Sequence, residues 1–322
     1  MTPSSNVADP VPPTVAEANS PFHQPWWLEA VAPGRWKVVE VRHDGALAAR
    51  LPYVIHSRYG LTILTMPPLT PVLGPWLAEA KGKYEAALTR QHHLLTQLLE
   101  GLPAFDLFNH HFHPSVTNWL PFYWRGFTQT TRYTYRLEQT RDLAAVWSEL
   151  RDKTRNAIRK AEQQGIAVEE SDDIETFIGL YAKSFARQGL PLPCTPELIR
   201  RIDAASGRQN ARKLFMARGR DGTPHSGVFC VHDRGSCYYL MQGADPAFRD
   251  SGANVLAVWR SIEFAGRLGL AYDFEGSVHK SIEHFVRSFG ARQTPYLQVR
   301  GASRRMRVLL ASRELLRALL GR

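Results

Sequence analysis

The stretch YDFEGSVHKSIEHFVRSFG, residues 272–290, carries the clearest information on the fold. Its first residues are mostly apolar and indicate a buried strand that runs into a Gly-Ser loop. KSIEHFVRSFG (280–290) has the spacing of a helix, and TPYLQVR (294–300) follows as a final strand. The end of the chain therefore predicts a strand, a helix and a second strand in succession.

The same order occurs in the first half of the chain. Three short segments resemble parts of this region at offsets between 161 and 167 residues, namely FDLF (105–108) with YDFE (272–275), WRGF (124–127) with VRSF (286–289), and TRYTYRL (131–137) with TPYLQVR (294–300). Because both order and spacing are kept, the sequence predicts a duplicated unit of helices and strands.

Shorter elements extend this pattern outward. In the first half, β-rich runs and turn dipeptides predict an antiparallel meander at 36–42, 46–56 and 61–66, with turns at Asp44-Gly45 and Tyr59-Gly60, and then a helix at 79–101. In the second half, the spacing predicts helices at 142–165, at 173–189 and from Thr195-Pro196, strands at 213–219, 226–233 and 237–244, and a long helix that ends near Gly269. The predicted fold class is α+β, with two units that each hold a mixed, mostly antiparallel sheet flanked by helices.

Composition shifts divide the chain into four parts. Residues 1–20 are rich in Pro, Ser and Ala and are expected to form a disordered leader. We expect an N-terminal domain at 21–140, a C-terminal domain at 141–302 and a basic C-terminal helix at 303–322.

The composition also excludes several classes of protein. The chain has 322 residues, of which 44% are hydrophobic, so it can bury a core and is neither disordered nor collagen-like nor a coiled coil. No apolar run approaches the roughly 18 residues of a membrane-spanning helix, and residues 1–20 lack the charge and apolar segment of a signal peptide. The formal net charge is +10, and half of it, +5, lies in residues 303–322.

Asp273 and Glu275 are the candidate catalytic residues. They alternate along the predicted strand and are therefore expected to point to the same face, with Tyr272 and Phe274 on the opposite face. Acidic residues at the end of a buried strand are placed to accept a proton from an attacking amine. Arg287, on the following helix, is a candidate to bind a carboxylate or phosphate, although a capping acid and a surface arginine explain the same residues.

A second candidate site lies where strand 237–244 leads into the long helix. The backbone N–H groups at a helix N-terminus favour an anion, Gly252 would let a phosphate approach the backbone, and Arg249 would add positive charge. Asn254 begins the helix, and backbone N–H groups near Gln242–Ala244 are candidates to stabilise an oxyanion. An ordinary capped helix start is the alternative interpretation.

Further candidate substrate contacts are Lys153 and Arg155 on the helix at 142–165, and Tyr296 on the final strand. Lys153 and Arg155 belong to a helix whose net charge is reduced by acidic neighbours, so a solvated helix face is the default and phosphate or RNA contact the alternative. The histidines of NHHFHP (109–114) have no metal-ligand spacing, and no metal site is predicted.

Several of these motifs together resemble a known family. PFHQPWWLEAV (21–31), LPY (51–53), KTRNAIRKAEQQGIAV (153–168) and YDFEGS (272–277), with the later SFG (288–290), resemble the FemABX-like branch of the GNAT acyltransferases over roughly residues 20–300. The resemblance implies two tandem GNAT-like domains, with acyl transfer in the second and the substrate in the groove between them. It also implies that loop 249–254 lies at the pyrophosphate site of GNAT enzymes and that Arg287 takes the place of a phosphate-binding lysine.

By this resemblance, the leading hypothesis is an N-acyltransferase that moves an aminoacyl or acyl group to an amine of a cell-envelope precursor or a related small acceptor. An acyl-CoA-dependent N-acetyltransferase and a non-catalytic binding or scaffold protein are the alternatives. No tightly bound cofactor is expected, and acyl-CoA or aminoacyl-tRNA would be the donor substrate. The family's coiled-coil arm is absent, so tRNA selection by that arm is not implied.

The expected partners are a small-molecule or lipid-linked acceptor and, for one of the donors, tRNA, whereas DNA is not expected. Three cysteines without a CxxC spacing fit a reducing compartment, so a cytoplasmic location is expected. Six apolar residues of 303–322 share one helical side, although Arg305 interrupts it and Met306 and Leu310 lie off it. This side would dock either on the protein's own domains or on an anionic membrane at its inner face; its residues are Val308, Leu309, Leu315, Leu316, Leu319 and Leu320.

Overall fold

The computed structural model describes residues 15, 16, 18–79, 82–276 and 280–319, and it describes side chains as far as residue 312. Most of the expected leader, the loop residues 277–279 and Leu320 therefore lie outside the described residues, as do the side chains of Leu315, Leu316 and Leu319.

The first half of the chain forms the predicted meander. Its elements are α1 (Pro25–Val31), β1 (Trp36–His43), β2 (Ala46–Arg58), β3 (Leu61–Thr65), β4 (Trp76–Leu77), α2 (Tyr84–Glu100), β5 (Leu107–His111), α3 (Leu120–Trp124) and β6 (Thr128–Leu137). β2 pairs antiparallel with both β1 and β3. The turns use Asp44-Gly45 and Tyr59-Gly60, all with positive φ, as two-residue hairpin loops require.

The second half follows the predicted order with one correction. Its elements are α4 (Leu143–Glu149), α5 (Asp152–Gln163), β7 (Ala167–Glu170), α6 (Ile174–Ala186), α7 (Pro196–Arg208), β8 (Arg212–Arg218), β9 (Pro224–His232), β10 (Ser236–Ala244), α8 (Ala253–Leu268), β11 (Ala271–Asp273), α9 (Lys280–Arg287), β12 (Arg292–Ala302) and α10 (Arg304–Leu319). The single helix expected at 142–165 is wrong, because extended backbone at Leu150 and Arg151 separates α4 from α5. The Arg151 N–H donates to the Ser288 carbonyl instead of continuing the helix, while Leu150 is buried.

The strands of both halves form one sheet rather than two. Its order among the described residues is β1-β2-β3-β5-β12-β6-β11-β10-β9-β8-β7, with β4 beside β2. β5 is parallel to β3, as β11 is parallel to β10, and all the other pairs are antiparallel. The predicted mixed, mostly antiparallel α+β fold is confirmed, but β6 and β12 each lie beside the other half's strands.

Helices cover both faces of this sheet. On one face, α1, α6 and α7 pack over Phe229 and Val231 of β9. On the other face, α5 and α8 pack over Val228 and Cys230 of the same strand, and α2 covers β1 and β2. The alternation along β9 assigns the two apolar clusters to opposite faces. Cys230 is a buried free thiol.

Helix α10 begins on the body of the protein and then leaves it. Met306 is buried, whereas Val308, Leu309 and Leu310 are 61%, 47% and 41% exposed. Side chains of three consecutive helical residues point about 100° apart, so this turn lies clear of the body. In the described part of the chain, none of the helices is both long and apolar enough to cross a membrane.

Candidate active site

The candidate site lies where β10 and β11 diverge. The two parallel strands pair only from Ser236↔Ala271 to Tyr238↔Asp273, after which β11 ends and β10 continues to Ala244. β10 also skips one residue in its ladder with β9, between Tyr239 and Met241. Such a bulge bends a strand and increases its twist, which opens a cleft between the neighbouring strands.

Asp273 ends β11 and is fully engaged by neighbouring groups. It is 4% exposed, and its carboxylate accepts hydrogen bonds from Thr134 Oγ1 at 2.5 Å, from Arg136 Nη1 at 2.7 Å and from the Glu275 N–H at 2.9 Å. Arg136 lies directly opposite Asp273 on β6 and also binds Glu138 through Nε at 2.6 Å. Asp273 is therefore a paired carboxylate that holds the following turn.

Glu275 has one carboxylate oxygen without a partner in the described part of the chain. This oxygen, Oε1, is buried. Burial raises the pKa of this carboxyl well above its usual range, and the negative charge of Asp273 raises it further. A carboxyl whose pKa is raised by burial holds a proton more readily than an exposed one, which suits a general base.

The predicted strand does not extend through Glu275, which corrects the expectation from the sequence. β11 ends at Asp273, and Glu275 has a left-handed backbone with φ of 57°. The two acids still reach the same cavity, because the Asp273 side chain binds the Glu275 N–H and fixes the turn. They meet there through this turn rather than through strand alternation.

The cavity at Glu275 is small and lined by both halves of the chain. It measures about 10 Å³, which accommodates a group the size of a water molecule or an amine. Its other lining residues include Thr134, Tyr238, Tyr296 and His113. Burial and the Arg136 charge lower the pKa of His113 to about 4, so this imidazole is neutral at neutral pH.

A polar strip runs from this cavity along β12. Tyr296, Gln298 and Arg300 share one face of the strand, and Arg132 of β6 lies opposite Tyr296. Arg132 Nε donates to Tyr296 Oη at 3.3 Å, and Arg300 Nε donates to Asn109 Oδ1 at 3.2 Å. Neither arginine forms an ion pair within the described part of the chain. The strip therefore offers two guanidinium groups to an anionic ligand.

The residues expected at the helix N-terminus do lie together. Arg249 and Asn254 line a cavity of about 230 Å³ beside the start of α8. Arg249 is largely exposed, with Asp250 at 3.3 Å. Gly252 has φ of 75°, and a Cβ there would lie 2.6 Å from the Ala157 carbonyl oxygen. The close approach of α5 therefore accounts for this glycine in the structure.

Gln242 supports this region from β10. Its Nε2 donates to the Asn254 carbonyl at 2.9 Å, and its Oε1 accepts from Tyr239 Oη at 2.6 Å. Among the backbone groups expected to stabilise an oxyanion, the Ala244 N–H already donates to Ser184 Oγ at 2.8 Å. Gln242 thus links the diverging strand to the first turn of α8.

Three expected substrate contacts lie outside this arrangement. Arg287 binds Glu283 at 2.8 Å, and Glu283 accepts from Tyr135 Oη. Tyr135 alternates with the Asp273 partners on β6, so this group lies on the other face of the sheet. Arg155 donates to the Ser148 carbonyl across the α4–α5 break, and Lys153 is an exposed residue of α5.

Sequence reasoning missed the β6 residues of the site. Arg132, Thr134 and Arg136 alternate within TTRYTYRL, a period-two pattern that indicates one polar strand face. In the sequence, His113 stands out only as part of the histidine cluster NHHFHP. Within the described residues, no group of three or more His, Cys, Asp or Glu side chains is arranged to hold a metal ion.

Comparison with protein families identifies the second half of the chain. Residues 148–280 match the family described as an acetyltransferase (GNAT) domain, a range that includes β10, α8, β11 and Glu275. This part of the chain, 133 of 322 residues, is similar to GNAT acetyltransferase domains. The match agrees with the predicted resemblance to GNAT acyltransferases over residues 148–280. Comparison with curated proteins gives no match.

Solved structures share the fold over most of the chain. FemX has a TM-score of 0.65 at 14% identity, with 84% of this chain and 90% of FemX covered. The C-terminal domain of a putative lysylphosphatidylglycerol synthetase from Agrobacterium fabrum has a TM-score of 0.55 at 13% identity, with 88% and 89% covered. L-PGS from Bacillus licheniformis has a TM-score of 0.52 at 9% identity, with 91% of each chain covered. At these identities the likeness establishes the fold.

Proposed function

We propose that this protein is an N-acyltransferase in which Glu275 accepts the proton of the attacking amine. The observation that carries the proposal is the buried, unpaired Oε1 of Glu275 in the cleft of the GNAT domain. Asp273 is a positioning residue, because its carboxylate is used by Arg136, Thr134 and the Glu275 N–H. This assignment separates the roles of the two acids.

The chemical step needs one base and one leaving group. The amine nitrogen of the acceptor bonds to the acyl carbon, and the bond from that carbon to the thioester sulfur or ester oxygen of the donor breaks. Glu275 takes the proton from the amine, and the leaving sulfur or oxygen is protonated from solvent. The N–H group of Gln242 is the proposed oxyanion donor, since that of Ala244 is engaged and that of Gly243 points to the opposite edge of the strand, toward β9.

The acceptor is proposed to lie along the strip of Arg132, Tyr296 and Arg300. Two guanidinium groups beside the cavity suit an acceptor that carries phosphate or carboxylate as well as an amine. A cell-envelope precursor or a lipid-linked acceptor has this character. The name of the Agrobacterium fabrum neighbour also denotes an aminoacylated lipid, which supports an acceptor of this class.

The donor is proposed to enter at the α8 N-terminus, where Arg249 and Asn254 line the larger cavity. An aminoacyl group from aminoacyl-tRNA is the leading donor. The matched family's description as an acetyltransferase domain favours acyl-CoA as the second candidate. Titration with acetyl-CoA during thermal unfolding separates the two, since a ligand raises the melting temperature only if it binds the folded protein.

The proposal for Glu275 is tested with E275Q, and E169Q serves as its control. Glu169 is an exposed acid of β7 that pairs with Arg218 at 3.0 Å, far along the sheet order from β11. Donors are screened against amine-bearing envelope precursors with the wild-type protein, and the active pair is then used for both variants. We expect E275Q to lose 100-fold or more of kcat, within the ~10²–10⁴ range of general bases, and E169Q to lose none.

Full turnover by E275Q would remove Glu275 from the mechanism. Binding of a donor or acceptor by the wild-type protein without turnover of any pair would favour the non-catalytic alternative.

We further propose a cytoplasmic location with peripheral contact of 303–322 at an anionic membrane surface. Contacts with DNA form no part of the proposal.

A further inference from the structure

The β2–β3 turn and the start of α10 are joined at one end of the first half. The Asp106 N–H donates to the Thr62 carbonyl, and Asp106 carboxylate oxygens accept from the Thr62 N–H at 3.0 Å and from Ser303 Oγ at 2.9 Å. Arg305 lies over the turn, with Nη1 3.5 Å from the Gly60 carbonyl oxygen. Turn and helix are therefore held as one surface.

Exposed apolar side chains project from both parts of this surface. Tyr59, at the tip of the turn, is 83% exposed, and Val308 is 61% exposed on the first free turn of α10. Leu309 and Leu310 beside it are 47% and 41% exposed. A soluble surface seldom gathers such residues without a partner.

Four arginines lie next to these apolar residues in the β2–β3 turn and at the start of α10. Arg58, Arg304, Arg305 and Arg307 are all exposed. Arg58 lies over the Tyr59 ring, 5.1 Å from its centroid. None of the four forms an ion pair with a described residue. We name the group Arg58, Tyr59, Arg304, Arg305, Arg307 and Val308–Leu310 the basic end.

We propose that the basic end docks on the surface of an anionic lipid bilayer. Arginines attract anionic headgroups, while an interfacial tyrosine and aliphatic side chains enter the boundary with the acyl chains. A second copy of the chain would bring eight such arginines together, which opposes self-association. A nucleic acid would satisfy the charge but would leave Val308, Leu309 and Leu310 in water.

This surface also orients the candidate active site, an inference that rests on the proposed function. Tyr296 lines the Glu275 cavity, and β12 runs from it through Arg300 to Ser303, where α10 begins. From Tyr296 to Arg300 the strand rises about 13 Å. The strip thus leads from the cavity to the basic end.

Binding is measured by co-sedimentation of the full chain with vesicles. One set contains phosphatidylcholine alone and the other adds phosphatidylglycerol, both at low salt. An arginine near an anionic bilayer contributes about 1 kcal/mol, or about fivefold in partitioning. The variant R58Q/R304Q/R307Q should therefore bind the anionic vesicles about 100-fold more weakly, and Y59A should also weaken binding. Wild-type protein should not sediment with phosphatidylcholine vesicles.

Matched controls come from α2, where Arg90 and Tyr84 are exposed and Tyr84 is 80% accessible. R90Q and Y84A should bind vesicles as the wild type does. Equal loss in R90Q would reduce the effect to net charge and overturn the proposal. Unchanged vesicle binding by the triple variant would also overturn it, as would a loss confined to binding of tRNA. Circular dichroism of each variant checks that the fold is kept.

Transfer assays separate this inference from the proposed function. Activity toward a vesicle-borne amine acceptor should fall in the triple variant, while activity toward a water-soluble headgroup analogue should stay unchanged. Loss of both activities in E275Q with normal vesicle binding supports the two proposals together. Vesicle binding without any transfer by the wild type would contradict the acyltransferase proposal and leave the docking surface standing.

Discussion

Replacing Asp273 by Asn tests whether this acid positions the site or performs the chemistry. The substitution keeps the shape of the side chain and removes its charge. Arg136 Nη1 then loses its buried ion pair at 2.7 Å, while its Nε retains Glu138, whose side chain is 56% exposed. The amide oxygen can still accept the Glu275 N–H, so the turn is kept.

The expected loss of stability follows from this geometry. Removing one partner of a buried ion pair costs about 3–5 kcal/mol, because the other charge stays buried. Glu138 continues to neutralise Arg136, so we expect the lower end of the range, about 3 kcal/mol of unfolding free energy. D172N is the matched control, since Asp172 pairs with Arg212 at 2.8 Å but is 94% exposed. The D172N variant should lose less than about 1 kcal/mol of unfolding free energy.

Urea unfolding followed by tryptophan fluorescence gives the stability of both variants. The pH dependence of kcat gives the role of Asp273, because its negative charge helps to raise the pKa of Glu275. Removing that charge should shift the acidic limb of the profile to lower pH, with activity retained above it. A D273N variant that is as stable as the wild type and has no activity at any pH would refute this account, since Asp273 would then be the proton acceptor.

Three further predictions concern single residues. Burial raises the pKa of Glu275, so its contribution to the free energy of unfolding is full below about pH 4.3 and is lost as the pH rises through the raised pKa. The urea midpoints of wild type and E275Q should therefore diverge between pH 4 and pH 8. The wild type should become less stable relative to E275Q as the pH rises. G252A should lower the free energy of unfolding by about 2 kcal/mol, because an alanine would need φ of 75° and its Cβ would meet the Ala157 carbonyl oxygen. A smaller loss in thermal unfolding would contradict the close packing of α5. R249A should weaken acetyl-CoA binding about tenfold in calorimetry if the cavity beside α8 holds a phosphate, and equal affinity would exclude Arg249 from the donor site.

Local signals explain why much of the fold could be predicted. Asp44-Gly45 and Tyr59-Gly60 set two hairpins because the positive φ of each pair matches the twist of the strands. Gly269 ends α8 in the left-handed conformation that the sequence indicated. These features depend on neighbouring residues alone, so a single sequence carries them.

The differences between the predicted and the observed structure arise from contacts between residues that are distant in the sequence. The α4–α5 break depends on Arg151 binding the Ser288 carbonyl, and nothing within 142–165 encodes this partner. The turn at Glu275 depends on the Asp273 side chain, which is held by Arg136 from a strand 137 residues earlier. The sequence indicated both acids but not which of them is paired. That distinction needed the order of strands in the sheet.

The exchange of β6 and β12 between the two halves has a consequence for synthesis of the chain. β12 is the last strand of the described residues, and it pairs along its length with β6, more than 150 residues earlier, and with β5. Until residue 302 leaves the ribosome, β5 and β6 each keep an unpaired edge, the kind of edge that seeds aggregation. Such non-local pairing also slows folding. Both halves of the sheet therefore become complete together, once β12 has been made.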